Sequence, residues 1–539
     1  MAITADDARE TTQTQARGLP AFAPFAAWAL VLAVMIGVSA AMTGEGFVYG
    51  LDDPLIHLAV AESILKGGYG VNFPELSAPS SSILFPWLLA GLLVVGAGVW
   101  APLILTLAAS FAALALWRMI LMRAGLSGQT AGWAGLALML ATNGAGLVMI
   151  GMENGLHVTA TLAAVVGFHD LVRHGRVTAV FVAGVVLGGL LRFEGLAVSG
   201  ALLFLGLFFG RPWAMIAIGA ALAACLFAHV AWMLSHGLPV LPSSVLVKLP
   251  SADAALSADS GGLVAGLLDN WLFTMEVELP AFMIVLGLTL AAFAMLAAGR
   301  GRLDKPTMAL LAAAVLIGGA QLAVGRYGWL SRYEIYAISG LMALVAMAAL
   351  PVLGLRHARL RLYAGVGFGM LLIAYGELFV TNIIATQNMA QQQVQMGKFA
   401  RAWDKPIAVN DLGWVTWNND RYVLDLWGLG SEEARLARAD NEPGWMDALT
   451  RKHDADVAIL HARWFTDMIP ASWTPVATLG RTSPTLFGGT EVATFYATRP
   501  EAVGPLRATL ADIAATAPSG SLWDLNPSAT PLKSAAPAP

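Results

Sequence analysis

Apolar residues run along this chain in long blocks rather than in alternation. Stretches nearly free of charge recur near 22–42, 83–99, 101–121, 131–150, 155–172, 177–191, 195–210, 213–235, 279–298, 306–324, 334–353 and 362–381. A helix of about 20 apolar residues crosses a hydrocarbon core of about 30 Å. The blocks predict a polytopic α-helical membrane protein with about 11–12 membrane segments over residues 1–384. After about residue 385 the pattern changes. "PIAVNDLGWVTWNNDRYVLDLWGL", "DADVAILHA" and "EVATFYATR" are short β-rich runs bounded by Asp, Gly and Asn, with "SEEARLARADNEPGWMDALTRKH" reading as one or two surface helices between them. These predict a C-terminal soluble α/β domain over 385–514. The stretch 515–539, rich in Pro, Ala and Ser, is expected to be a disordered tail.

Composition agrees with the blocks. The chain is 539 residues long, 57% hydrophobic and 12% charged, about half the charge of an ordinary soluble domain. The net charge of −4 is spread over loops and tail and argues neither for nor against a nucleic-acid partner; none is expected for a chain of this membrane class. Cys225 stands alone in an apolar run and reads as a buried small hydrophobe. The first block ends in "VSAA" but exceeds the apolar core of a signal peptide, so it is read as a retained span. Positive charge gathers at "RMILMR", "RHGR", "GRGRLDK" and "RHARLRL", which the positive-inside rule assigns to the cytoplasm. Twelve full crossings would put "RMILMR" outside. The conflict disappears if one segment between 83 and 121 does not cross.

The chemistry concentrates in the loops on the other face. "LDDPLIHLAVAESILKGG" (51–68) follows the first span in an outer loop, 44–82. Asp53-Pro54 has the form of a helix start, with Asp53 as the cap, and Gly67-Gly68 supplies the stop. The helix over 54–66 is too short to span, and its broad apolar stripe predicts that it lies in the interface plane. Asp52 has no such structural duty, which makes it a functional candidate at a membrane mouth. His57 lies one turn beyond Asp53 on the same face, where it could form a metal or proton-transfer pair or be plain polar decoration. Glu75 and the serines of "SAPSSS" follow, and the serines could cap the next helix or contact a ligand.

This loop, "LDDPLIHLAVAESILKGGYGVNFPELSAPSSSILFPWLLA", resembles the first outer loop of GT-C glycosyltransferases, integral-membrane enzymes that use polyprenyl-phosphate sugar donors. Bacterial members carry an acidic pair, a helix, a Gly-rich turn, an N-P-G-E-like piece, here altered to "NFPE", and a Ser/Pro lead-in to the next span. "GMENGL" (151–156) is similar to the family's G-[ML]-E-[TS] stretch, and "LRFEGL" (191–196) to R-P-[ED]-G with Phe193 in place of proline. "HGLPVLPSSVLVK" (236–248) resembles Y-G-x-x-x-P-N-T-x-x-A-K, keeping Pro242 and Lys248 but with Ser243 for asparagine. "GRYGWLSRYEIY" (325–336) and "NDLGWVTWNNDRYVLDLWGLG" (410–430) match further pieces in order. The likeness extends to arabinofuranosyl- and mannosyltransferases of bacterial envelopes without naming a sugar.

The resemblance implies an inverting transfer from a polyprenyl-phosphate-linked sugar donor to a glycan or glycolipid acceptor. It places the site and the C-terminal domain on the periplasmic side of a bacterial inner membrane. Asp52 is then the catalytic base, and Asp53 orients it or helps bind a divalent cation, Mg²⁺ or Mn²⁺. Arg192, Lys248 and Arg332 would hold the donor phosphate, with His57, Glu153 and Glu194 in support. Read from the residues alone, Arg192 could equally be salt-bridged to Glu153 and Glu194, Lys248 could snorkel, and Arg332 could anchor a helix at the interface. Asp411 and Asp425 read as turn and edge-strand residues. The rival readings are a transporter or lipid-linked-glycan flippase with the acids as ion relay, a ligase-type enzyme moving a whole glycan, and a non-catalytic envelope protein.

Overall fold

The computed structural model describes residues 21–247, 260–353, 358–440, 442–465, 467–486 and 492–527. Lys248 and the end of the expected tail, 528–539, lie outside the described residues. Among those described, eight segments are long and apolar enough to cross a membrane. A ninth is formed if Gly128–Ala141 (α5) and Gly144–Ile150 (α6), bent by 55° at their junction, count as one span. The chain is a polytopic helical membrane protein with a small C-terminal sheet domain.

The membrane part begins with α1 (Ala23–Thr43), followed by α2 (Asp53–Leu65), α3 (Phe85–Val94) and α4 (Ala101–Arg123). With ten residues α3 is about 15 Å long and does not cross. Its flanks stay at one end of the bundle: Leu84 N–H donates to the Leu190 carbonyl at 3.1 Å, and the Tyr49 hydroxyl donates to the Val99 carbonyl at 2.7 Å. The expected crossing at 83–99 is therefore absent, which puts "RMILMR" at the same end as the other basic clusters. There Arg123 pairs with Asp170 at 2.9 Å, and Arg173 with Asp304.

Beyond α7 (Asn154–His174), α8 (Ala179–Leu191) and α9 (Gly195–Gly206) form a short antiparallel hairpin that turns at Arg192–Glu194. Ser199 Oγ donates back to the Val185 carbonyl at 2.8 Å and ties the arms together. The bundle continues through α10 (Pro212–Ser235), α11 (Ser243–Leu246), α12 (Ser260–Val277), α13 (Leu279–Ala298), α14 (Lys305–Val324), α15 (Ile335–Leu353) and α16 (Ala358–Tyr375). Cys225 corrects its expectation: it is exposed, because α10 turns most of its surface outward, with only 17% of its apolar window buried.

α17 (Leu378–Gln391) and α18 (Gln393–Trp403) lead into the soluble domain across the expected boundary at 384/385. A six-stranded sheet follows, in the order β2 (Val423–Asp425), β1 (Ile407–Val409), β3 (Val457–Leu460), β5 (Ala493–Ala497), β4 (Thr474–Arg481), β6 (Ser521–Asp524). β1, β2 and β3 run parallel, and the rest pair antiparallel. Strand alternation sends Ile407, Val409, Val457 and Ile459 to one face, under α18 and α22 (Val503–Thr516). Ala408, Leu424, Ala458 and Leu460 go to the other, under α21 (Trp445–Lys452), which follows α20 (Glu432–Asp440). β6 lies within the stretch expected to be tail. Its composition is tail-like, but Ser521–Asp524 pair with the edge of β4, an interaction no local pattern encodes.

α2 departs from its expectation too. It does not lie on a lipid surface, because Pro54 through Ala61 are buried. Leu55 and Leu58 pack into the membrane bundle, while Ile56 packs into the core beneath the sheet. A stripe broad enough for an interface is also broad enough to be shared by two domains. α2 is the layer between them.

Candidate functional site

Six of the charges singled out in the sequence stand at helix ends. Asp52 and Asp53 open α2, Glu153 precedes α7, Arg192 and Glu194 flank the α8–α9 turn, and Arg332 precedes α15. Tertiary packing brings these ends together. Arg332 Nη1 meets Asp53 Oδ2 at 2.5 Å. Arg192 Nη1 meets Glu153 Oε1 at 2.7 Å, and its other nitrogens meet Glu194 at 2.7 and 3.2 Å. His57 Nε2 lies 3.8 Å from Glu153 Oε2. Ser80 Oγ and His57 Nδ1 are 3.1 Å apart, and Ser81 Oγ donates to Glu153 at 3.2 Å, so two of the serines noted in the outer loop belong to the site.

The two aspartates have exchanged the duties read from sequence. Asp53 is the first residue of α2, one past the cap position that Asp52 occupies; its carboxylate faces Arg332 and is 37% exposed. Asp52 has the structural duty that the sequence did not disclose. Its Oδ2 accepts the Gly413 N–H at 2.6 Å and its Oδ1 accepts the Trp414 N–H at 2.9 Å, at the start of α19 (Gly413–Thr416) in the soluble domain. Gly413 must lack a side chain, since a Cβ there would overlap the Asp52 carbonyl and carboxylate. Burial pushes the Asp52 carboxyl up to about 7, the negative charges of Asp411 and Asp53 add to the rise, and the two N–H bonds oppose it. Burial pushes His57 below its usual range, against the pull of Glu153 and Asp53.

Asp411 is the residue that sequence reasoning undervalued. It stands two residues past the end of β1, and its Oδ2 sits 3.1 Å from His461 Nε2 and 2.9 Å from Gln393 Nε2. Burial disfavours its charge, but His461 and Gln393 outweigh that and hold it below the usual carboxylate range. Asp425 keeps its expected structural place. On edge strand β2, it accepts the N–H groups of Trp427, Leu429 and Gly430 at 2.8, 2.6 and 2.7 Å.

Arg332 is presented by an unusual turn. Trp329, Leu330 and Ser331 all have left-handed φ, at 51°, 62° and 63°, a conformation that costs roughly 1–2 kcal/mol per residue. Asn143 holds the turn by donating to the Leu330 carbonyl at 2.9 Å and to Ser331 Oγ at 3.2 Å, and Asn154 donates to the Arg332 carbonyl at 2.8 Å. The Arg332 side chain is 94% buried against Asp53, Tyr333 and Trp329, so the interfacial-anchor account does not hold. For Arg192 the salt-bridge account is the observed one, with carboxylates on two sides.

The metal expectation does not fit these residues. Asp52 faces two backbone N–H donors and Asp53 a guanidinium, surroundings that favour negative charge over a cation. Among the described residues no group of three His, Cys, Asp or Glu side chains could hold a metal ion.

A domain of unknown function (DUF8728) matches residues 383–496, and no curated protein matches. The crystal structure of ArnT from Cupriavidus metallidurans bound to undecaprenyl phosphate is similar with a TM-score of 0.45 and 14% identity, covering 89% of this chain and 99% of that one. Its apo state gives 0.47 and 13% over the same shares. An Archaeoglobus fulgidus oligosaccharyltransferase in complex with Zn and sulfate gives 0.40 and 11%, over 87% of this chain and 73% of that one. At this distance no ligand or residue role passes to this chain.

Proposed function

We propose that the protein is a membrane glycosyltransferase of the GT-C type. It moves a sugar from a polyprenyl-phosphate donor to a glycan or glycolipid acceptor, at the periplasmic face of a bacterial inner membrane, with inversion. The observation that carries this reading is the convergence of Asp52, Asp53, Glu153, Arg192, Glu194 and Arg332 at helix ends, with His57 from within α2, where the apolar bundle meets the soluble domain. A lipid phosphate and an aqueous acceptor can meet there. An ion relay would instead place its charges within spans near the midplane.

In the proposed reaction an acceptor hydroxyl oxygen attacks the anomeric carbon as the bond to phosphate breaks. The bonding pair leaves with the phosphate, and Asp52 takes the hydroxyl proton. A base works best with a pKa near the operating pH, and burial places Asp52 at about 7. Arg332 is the phosphate ligand of this reading. Its Nε–H has no hydrogen-bond acceptor among the described residues, and phosphate oxygens suit a guanidinium fork. Arg192, already held by two carboxylates, fixes the wall behind it. Lys248 is a second phosphate ligand in the proposal.

The test is transfer from radiolabelled polyprenyl-phosphate sugars by purified protein in nanodiscs, with Asp52→Asn alongside wild type. The expected result is transfer by wild type, and a loss of roughly 10²–10⁴-fold in a variant that still binds the donor. Unchanged turnover in the variant would remove Asp52 from the chemistry. Failure of the wild type to bind any polyprenyl phosphate would overturn the reading.

A further inference from the structure

The chain order of the parallel strands reverses at β1. From β1 the chain steps to β2 on one side, by a connection carrying α19 on the face of Leu412 and Val415. It then crosses back over β1 to β3 by a connection carrying α20 and α21 on the opposite face. Where successive crossovers leave for opposite faces, the loops part and open a crevice at the carboxyl ends of the strands, the usual place for a ligand in an open α/β sheet.

The residues at these three strand ends are not filler. Asp411 follows β1, Trp427 follows β2, and His461 and Trp464 follow β3. They form a continuous series. Asp411 Oδ2 lies 3.1 Å from His461 Nε2, the His461 and Trp464 rings are 6.0 Å apart, and the Trp464 and Trp427 rings 4.8 Å. The Arg438 guanidinium lies over the far side of this series, 3.8 Å from the Trp427 ring. Trp464 is 38% exposed, whereas Phe465 beside it is fully buried. At its inner end the series reaches the acidic pair, because the loop that carries Asp411 also supplies the N–H groups bound by Asp52.

We propose that this crevice is the acceptor subsite and that its ligand is a saccharide. The inference rests on the glycosyl-transfer reading and gives its second substrate a location and a chemistry. A sugar ring has one face of C–H bonds, which suits an exposed indole, and a rim of hydroxyls, which suits paired polar groups. Trp464 supplies the first and Asp411–His461 the second. Among the described residues Oδ1 of Asp411 has only a long 3.4 Å contact with the Asn410 side chain, which leaves it available to a hydroxyl. The series leads to Asp52, so a ring stacked on Trp464 would extend its next residue toward the base.

The test uses the full chain in nanodiscs and measures binding of linear manno-, arabino- and galacto-oligosaccharides by saturation-transfer NMR and calorimetry, with undecaprenyl phosphate binding measured in parallel. The expected result is saccharide binding that weakens at least tenfold in Trp464→Ala and recovers in Trp464→Phe. It should be unchanged in Trp213→Ala, on the outward surface of α10, and lipid binding should be the same in all variants. Equal saccharide affinity in Trp464→Ala and wild type would overturn the subsite. So would an absence of binding by every oligosaccharide while undecaprenyl phosphate still binds, which would leave the glycosyltransferase reading standing. Saccharide binding that depends on Trp464 without lipid-phosphate binding would support the subsite and remove the donor instead.

Discussion

Both oxygens of Asp52 accept a backbone N–H from the soluble domain, yet a carboxylate has about four lone-pair sites and keeps room for a substrate proton. This gives a pH prediction with a definite sign. A base must be ionised to act, so turnover should rise with pH through about 7. Removing a neighbouring negative charge eases ionisation of Asp52. In Asp411→Asn the acid limb should therefore move to lower pH, whatever happens to the maximal rate, and a pH–rate profile measures the shift. Arg192 carries a separate stability prediction. It neutralises Glu153, which is fully buried, and Glu194. Arg192→Met strands both acids and should cost about 3–5 kcal/mol, seen as a lowered thermal midpoint in detergent. Arg192→Lys should recover part of the loss.

At the scale of elements the informative contacts join α2 to α19. Their register depends on Gly413, where any side chain strikes Asp52. Gly413→Ala should push the short helix off the carboxylate, and hydrogen exchange at the amides of 413 and 414 should accelerate while exchange in β1 and β3 does not. An unchanged pattern would mean that the contact is not what holds this loop. A second tie makes the comparison clean: Asn72 in the outer loop donates to the Val423 carbonyl and accepts its N–H, both at 2.9 Å. A side-chain amide thus occupies the free edge of β2, where an unpaired strand would otherwise invite another chain.

For the whole molecule the arrangement predicts a sidedness. The Arg123–Asp170 and Arg173–Asp304 pairs mark one end of the bundle, and the acidic cluster with the sheet domain marks the other. In a Cys225→Ser background, cysteines placed at Arg300 and at Trp464 should react with an impermeant maleimide from opposite sides of sealed vesicles. Labelling of both from one side would refute the topology, including the short, non-crossing α3. The soluble domain is then part of the site rather than an appendage, because it covers α2 and supplies the loop that holds Asp52.

Much of this was legible in sequence, for a physical reason. Apolar blocks set by the thickness of a bilayer show the membrane helices, short β-rich runs show the sheet domain, and charges at the ends of apolar blocks are costly enough to draw attention before any contact is known. The sequence by itself therefore determined the class of molecule and most of the residues in the cluster. Pairing was decided only by tertiary structure. Whether Asp52 or Asp53 was bound, whether Arg192 met Glu153, and whether Asp411 belonged to a turn or to the site depend on groups up to hundreds of positions apart. The tail-like residues of β6 make the same point, since an edge strand is stabilised by its neighbour. Periodicity reports what a segment does with solvent and lipid; which partner it meets is fixed when the chain closes on itself.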